Sequence, residues 1–346
     1  MKYLNKDCFN PFFSHIYVEH AVLNHPRTRK ILAAFPNANV IEIAHYKEIF
    51  CRSRQNYILQ HRTQKLILAA KDTEGTLIYQ GSEVCQNFGN EHFYYTSCVM
   101  NCIYDCEYCY LKGMYPSANI VIFINIEDLF REAERLMQKH KLYLCVSYDT
   151  DLPALEQIAG YAGEWCRFAE ANEQRLKIEI RTKCADRKFF ENQKPLSNVV
   201  YAFTLSPREV IRRFEHYTPS LAERIRCAAQ AVQDGFLVRL CFDPVIYLSG
   251  WQKYYDEMLD DVFRVIEMDR LADVSVGTFR ISQDYLKKMR KQEPDSAAVW
   301  FPYQLEQGFY QYPDDMREQM EQYLVKRLTE QVPREKIFLW KTGDHK

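Results

Sequence analysis

Three cysteines, Cys102, Cys106 and Cys109, spaced C-x-x-x-C-x-x-C in one short run, are the residues whose type and spacing say most about chemistry. Thiolates set this close suit a [4Fe-4S] cluster in which each cysteine holds one iron and the fourth iron stays open to a further ligand. A structural zinc site more often draws on two separated C-x-x-C pairs and closes its coordination with four protein donors. Cys98, just ahead of Cys102, is within reach as a fourth thiolate, so zinc is the alternative for this run. An open iron is a reactive iron. The nine histidines show no ligand spacing, and there is no Gly-rich phosphate loop of the Walker or dinucleotide type.

The elements that must hold this run follow from the pattern around it. From about residue 92, short β-rich stretches alternate with longer helical ones: a strand at 93–97, the cysteine loop, a helix over 128–139, a strand at 142–147, a helix over 152–171 and a strand at 176–181. The alternation continues through a strand at 199–205, a helix with Leu221, Ile225, Ala228 and Ala229 on its apolar side, a strand at 236–242, a helix from Gln252 and a strand at 274–279. Six strand–helix units in series predict a parallel sheet with helices outside. Roughly 185 residues are too few for a complete eight-unit barrel, which takes about 250. The expected fold class is α/β, an open, partial (β/α)6 barrel of the TIM-like kind.

Residues 1–90 are expected to form an N-terminal accessory α/β layer, with a helical pattern near 17–35, an apolar run at 39–44 and a basic stretch over 47–65. Residues 91–292 make the barrel. Residues 293–346 form a C-terminal extension packed on it, with an aromatic hairpin, a helix opened by Pro313 and running to Leu328, and an apolar run at 337–340.

In parallel α/β folds the carboxyl ends of the strands make the active face. The cysteine loop directly follows the first strand, so the cluster belongs there. Residues at the ends of later strands should converge on it: Cys145, Ser147 and Asp149, then Lys183, then Thr204 and Ser206, then Asp243. Each has a plainer reading. A strand cysteine is commonly a buried thiol, as the remaining cysteines including Cys8 are taken to be, and Asp243-Pro244 is ordinary turn chemistry.

The composition is that of a globular chain of 346 residues with 47% hydrophobic side chains, enough for one large core. It contains no run of about 18 apolar residues, and its first residues lack the apolar core of a secretory signal. Twelve cysteines spread through such a chain suit a reducing compartment, and a cytoplasmic location with no membrane partner is expected. A net charge of -1 supplies no global attraction to nucleic acid, so a DNA partner requires a local basic patch. Two are available: Arg280, Lys287, Lys288, Arg290 and Lys291, or Arg52, Arg54, Arg62 and Lys65.

The cysteine run resembles the radical S-adenosylmethionine superfamily, in which the open iron chelates S-adenosylmethionine. A narrower likeness covers roughly residues 90–340. Tyr108 and Tyr110 flank Cys109 and are followed by Leu111, Cys145 ends the next strand, and Asp243-Pro244 and Gly250-Trp251 lie downstream. Together these are similar to spore photoproduct lyase, and to a divergent, clostridial-type member of that family.

The resemblance implies repair of 5-thyminyl-5,6-dihydrothymine, a thymine pair cross-linked by ultraviolet light in spore DNA. A 5′-deoxyadenosyl radical removes hydrogen from the lesion, the inter-thymine bond breaks, a cysteine gives hydrogen back, and paired tyrosines return the radical to the cofactor. Carried onto this chain, Cys102, Cys106 and Cys109 ligate the cluster, Cys145 is the hydrogen donor, and Tyr108 and Tyr110 are the relay. Ser147, Lys183 and Thr204 meet the carboxylate of S-adenosylmethionine, with the backbone around Asp243 near the adenine. Implied partners are lesion-bearing DNA and an external one-electron reductant such as flavodoxin or ferredoxin, in the forespore or spore core.

The chain departs from the family's pattern in two places. The acid after the donor cysteine, Asp149, stands one residue later than usual, and the segment 301–313, where a DNA wedge is expected, has aromatic but no basic residues. A duplex lesion must be turned out of the stack to reach a buried radical, so a wedge is a physical requirement. Two other functions fit the same run: a radical enzyme acting on a different nucleotide or peptide, and a metal-stabilised nucleic-acid-binding module.

Overall fold

The computed structural model describes residues 13–81 and 85–340, and within it the chain divides into two compact units. The first comprises Met1–Gly81, Asn90–Ile103 and Met114–Ile180; the second comprises Ser82–Gly89, Tyr104–Gly113 and Arg181–Lys346. Cys8 lies outside the described residues.

The first unit holds a five-stranded sheet ordered Asn39–Ile43, His15–Glu19, Leu66–Ala69, Ile120–Phe123 and Val99–Met100, parallel except at its last pair. The helical pattern expected near 17–35 is realised only in part. His15–Glu19 is a strand with Ile16 and Val18 buried, followed by a 3-10 turn at His20–Val22, and the α-helix is confined to Pro26–Ala33, where proline sits in the first turn and the His25 side chain accepts from the Arg27 N–H. Pairing on both sides of the strand outweighs the local pattern.

The same unit carries Ile78–Gln80, Phe93–Thr96, Leu142–Cys145 and all but the last two residues of Leu176–Thr182 in that order, antiparallel at the first pair and parallel after it. Helix Ile126–Met137 follows the expected pattern, burying Ile126, Leu129, Ala133, Leu136 and Met137 on one stripe. The helix expected over 152–171 is broken. Gly160 adopts a left-handed conformation at φ 72°, separating Glu156–Ala159 from Tyr161–Ala171. The Glu156 carboxylate then accepts from the N–H groups of Ala162 and Gly163 at 2.8 and 3.0 Å, satisfying donors of the new helix's first turn.

The second unit holds parallel strands Val199–Thr204, Leu237–Val245, Asp273–Thr278 and Ile337–Leu339. The apolar run at the tail is thus a strand of this sheet. Helices Leu221–Gln233, Trp251–Val265 and Asp314–Leu328 belong to this unit, and Pro313 stands at the N-cap of the last. The expected aromatic hairpin forms from Gln304–Glu306 and Phe309–Gln311, with Arg280–Ser282 as a third antiparallel strand. Its tight turn needs left-handed backbone at Gln307 and Gly308, φ 47° and 84°.

Candidate active site

In the second unit, Cys106 and Cys109 sit on a turn held from several sides. The Cys109 N–H donates to the Cys106 carbonyl at 3.1 Å and the Lys112 N–H to the Cys109 carbonyl at 3.1 Å. Asp105–Cys106 pairs antiparallel with Glu215–His216, and the Glu107 N–H donates to the Phe214 carbonyl at 2.8 Å. Burial pushes the Cys106 thiol up to about 12, opposed by the Lys183 ammonium, and burial also raises Cys109. Neutral thiols of this kind are released as thiolates when metal displaces their protons. The donor set therefore fits iron: thiols on a fixed turn, with a cation near enough to favour their charged form.

Between these cysteines, Tyr108 turns into a buried polar cluster. Its phenol donates to the Glu215 carboxylate, which also accepts from the Ser206 hydroxyl at 2.7 Å and from the Arg224 guanidinium. Arg224 is fully buried and donates further to the carbonyls of Pro219 and Thr204 at 3.0 and 3.2 Å. Burial works against ionising Glu215, but Arg224 and Lys183 prevail and hold it at about 2. Burial and that carboxylate together push Tyr108 well above the ordinary phenol range. The Lys183 ammonium lies 5.7 Å from the Tyr108 ring centre, and although burial acts against its charge, Cys106 and Glu215 raise it.

The structure thus gathers Cys106, Cys109, Tyr108 and Lys183, with Thr204 linked to the group through its carbonyl. Tyr110 follows Cys109 and is half-buried. Asp243 lies 3.5 Å from Arg181 and close against Gly277.

In the first unit, Cys145 and Ser147 are both buried at the end of their strand, and Ser147 bridges to Ser97. Asp149 is buried too, and accepts from the Tyr115 hydroxyl at 2.6 Å. Cys102 follows Asn101, whose left-handed backbone at φ 68° is fixed by its side-chain amide donating to the carbonyls of Ser117 and Asn119, both at 2.7 Å. Gln64 donates to the Cys102 carbonyl at 2.9 Å. Cys98, the alternative fourth ligand, has its sulfur 4.0 Å from the Val146 carbonyl. Among the described residues, no three His, Cys, Asp or Glu side chains converge on a single-ion site; a cubane spreads its cysteines over separate irons.

A family model described as spore photoproduct lyase matches residues 9–340. The chain belongs to that family. Among spore photoproduct lyases, that of Clostridium acetobutylicum is 24% identical over 331 residues, covering 91% of this chain and 95% of its own. That of Bacillus subtilis strain 168 is 20% identical over 338 residues, covering 91% and 96%. A solved spore photoproduct lyase double variant with bound AdoMet and dinucleoside spore photoproduct is similar at a TM-score of 0.81 and 17% identity, over 96% of this chain and all of that one. A spore photoproduct lyase complexed with the dinucleoside lesion gives 0.80 at 16% identity, over 96% and 99%. These structural likenesses establish the fold as that of the solved spore photoproduct lyases, a mixed α/β architecture in keeping with the α/β class expected from the strand–helix series.

For this spore photoproduct lyase family member, the two basic patches differ in character. Arg290 lies 5.2 Å from the Trp300 ring centre and 5.6 Å from that of Tyr310, and Arg280 lies 5.5 Å from that of Phe309. Lys287, Lys288 and Lys291 are exposed on helix Gln283–Gln292. Arg52, Arg54 and Arg62 are exposed, whereas Lys65 donates to the Ser14 hydroxyl.

Glu215, Arg224, Tyr115 and Asn101 join these groups without having been expected from the sequence. A signal existed for one of them: Ser220-Leu-Ala-Glu223 is a capping box, and it fixes the helix phase that turns Arg224 inward.

Proposed function

We propose that this chain is a radical S-adenosylmethionine lyase that reverses the spore photoproduct, 5-thyminyl-5,6-dihydrothymine, to two thymines in DNA. The observation that carries the reading is the family match over residues 9–340. Residues 91–292 are its catalytic portion, with 1–90 as an accessory layer and 293–346 as the extension that meets DNA. Cys102, Cys106 and Cys109 would hold a [4Fe-4S] cluster, which together with S-adenosylmethionine would supply the radical that takes hydrogen from the lesion.

The chain's own residues do the rest. Lys183, Ser147 and Thr204 hold the carboxylate of S-adenosylmethionine, where an ammonium and hydroxyl donors suit an anion, and the backbone at Asp243 lies along the adenine. Cys145 gives its sulfur-bound hydrogen to the thymine radical, and Tyr108 and Tyr110 return a hydrogen atom to reset the site. The bond from Tyr108 to Glu215 supports this role by fixing where the phenol points.

Electrons come from a one-electron reductant of the flavodoxin or ferredoxin kind. Among the described residues no helix is long and apolar enough to cross a membrane. The cytoplasm of a spore-forming cell, in the forespore or spore core, is the proposed location.

The test is the Cys145→Ala variant, reconstituted without oxygen and given S-adenosylmethionine, reductant and a lesion dinucleotide. It should still break the lesion while releasing abnormal adducts in place of clean thymine. A clean thymine product from this variant would remove Cys145 from the donor role.

A further inference from the structure

One face of the first unit carries a row of oxidisable side chains that the proposed reaction does not use. Tyr79 pairs in register with Tyr95 across strands Ile78–Gln80 and Phe93–Thr96, and Tyr95 pairs in register with Cys145 across the next two strands. Residues so paired stand on strands about 4.8 Å apart and project to the same side of the sheet. The rings of Tyr79 and Tyr95 stack with centres 5.5 Å apart and planes at 23°, and Tyr148 stacks on Tyr95 at 4.1 Å and 26°. Exposure rises along the row, from 5% at Cys145 through half-buried Tyr95 to 39% at Tyr79. On the other side of Cys145 the paired residue is Glu179, which is buried and accepts from the Tyr143 hydroxyl at 2.5 Å. The phenol on that side, Tyr143, is 2% exposed and held by this carboxylate, so the row reaches solvent through Tyr95 and Tyr79.

We propose that Tyr95 and Tyr79 form a radical outlet for Cys145, separate from the return path through Tyr108 and Tyr110. The proposal rests on the reading of Cys145 as hydrogen donor. A Cys145 thiyl takes a hydrogen atom from the Tyr95 hydroxyl, so that an S–H bond forms as an O–H bond breaks and a phenoxyl radical remains on Tyr95. Tyr79 then gives its hydroxyl hydrogen to Tyr95. A soluble thiol in turn gives its hydrogen to Tyr79, and two of the resulting thiyl radicals combine as a disulfide. S–H and phenolic O–H bonds are close in strength, so each protein step is nearly thermoneutral and the external thiol draws the chain forward. The outlet resets Cys145 when product leaves before the return path has acted, and spares the sulfur from climbing the oxidation ladder.

The direct test needs no lesion. The reconstituted full-length protein is flashed with a ruthenium trisbipyridine sensitiser and a cobalt(III) acceptor to oxidise exposed phenols, and a nitrone trap with peptide mapping reads where the radical settles. Trap adduct on Cys145 is expected in the native protein and should fall severalfold in Tyr95→Phe and in Tyr79→Phe, which keep the stacked rings. Equal adduct on Cys145 in all three proteins would overturn the outlet. In turnover, added thiol should raise the S-adenosylmethionine consumed per lesion repaired in the native enzyme and not in Tyr95→Phe; an equal rise in both would also overturn it. Absence of repair bears on the lyase reading, while loss of the Tyr95 dependence bears on the outlet.

Discussion

Glu215 is buried among Tyr108, Ser206 and Arg224, and its charge survives there because a guanidinium and two hydroxyls replace the water it has lost. Removing Arg224 alone takes away the cation bonded to the carboxylate and leaves only Lys183 to offset its burial. Arg224→Met should cost about 3–5 kcal/mol of stability, read from urea unfolding, and Arg224→Met with Glu215→Gln should recover part of that loss. A loss below about 1 kcal/mol for the single change would show that the pair is not the local anchor described here. At this scale the sequence was most legible where chemistry is consecutive, in the run from Cys102 to Leu111. Glu215 was opaque because its partners come from separate elements, and the capping box that turns Arg224 inward does not announce the carboxylate it meets. Tyr95 and Tyr79 were hidden for the same reason: register across three strands creates their alignment with Cys145.

At the scale of elements, the helix Leu221–Gln233 shows how a local signal places a distant group. Ser220 accepts from the Glu223 N–H while the Glu223 carboxylate accepts from the Ser220 N–H at 2.8 Å, so the helix starts at a fixed residue and Arg224 faces the core. Ser220→Ala should cost about 1 kcal/mol by thermal or urea unfolding, with no effect expected from a change at exposed Gln233 for comparison. Equal stability of Ser220→Ala and the native chain would remove the cap from the account. Long periodic elements such as Ile126–Met137 could be read from their apolar stripe. His15–Glu19 could not, since its strand state depends on Asn39–Ile43 and Leu66–Ala69 lying on either side. The break at Gly160 was visible only as a glycine, and Glu156 capping the next helix made it a boundary.

For the whole molecule, alternating strands and helices are a global pattern, so the open α/β architecture could be inferred without knowing any contact. What the pattern did not contain was the five-stranded sheet of the first unit, whose strands Leu66–Ala69 and Ile120–Phe123 are short, wholly apolar runs with no periodicity to mark them. A net charge of -1 leaves DNA binding to local features, and the hairpin 304–311 offers Leu305 at 49% exposure without a basic residue of its own, while Trp300, earlier in the chain, is 52% exposed. Membership of the spore photoproduct lyase family, the cysteine run and the Tyr108–Lys183 cluster all bear on one activity. The most direct measurement is thymine recovery from a spore-lesion dinucleotide incubated anaerobically with the reduced, iron-reconstituted enzyme and S-adenosylmethionine. Intact thymine should be released only when enzyme, reductant and S-adenosylmethionine are all present; cleavage of S-adenosylmethionine with the lesion left untouched would overturn the lyase reading.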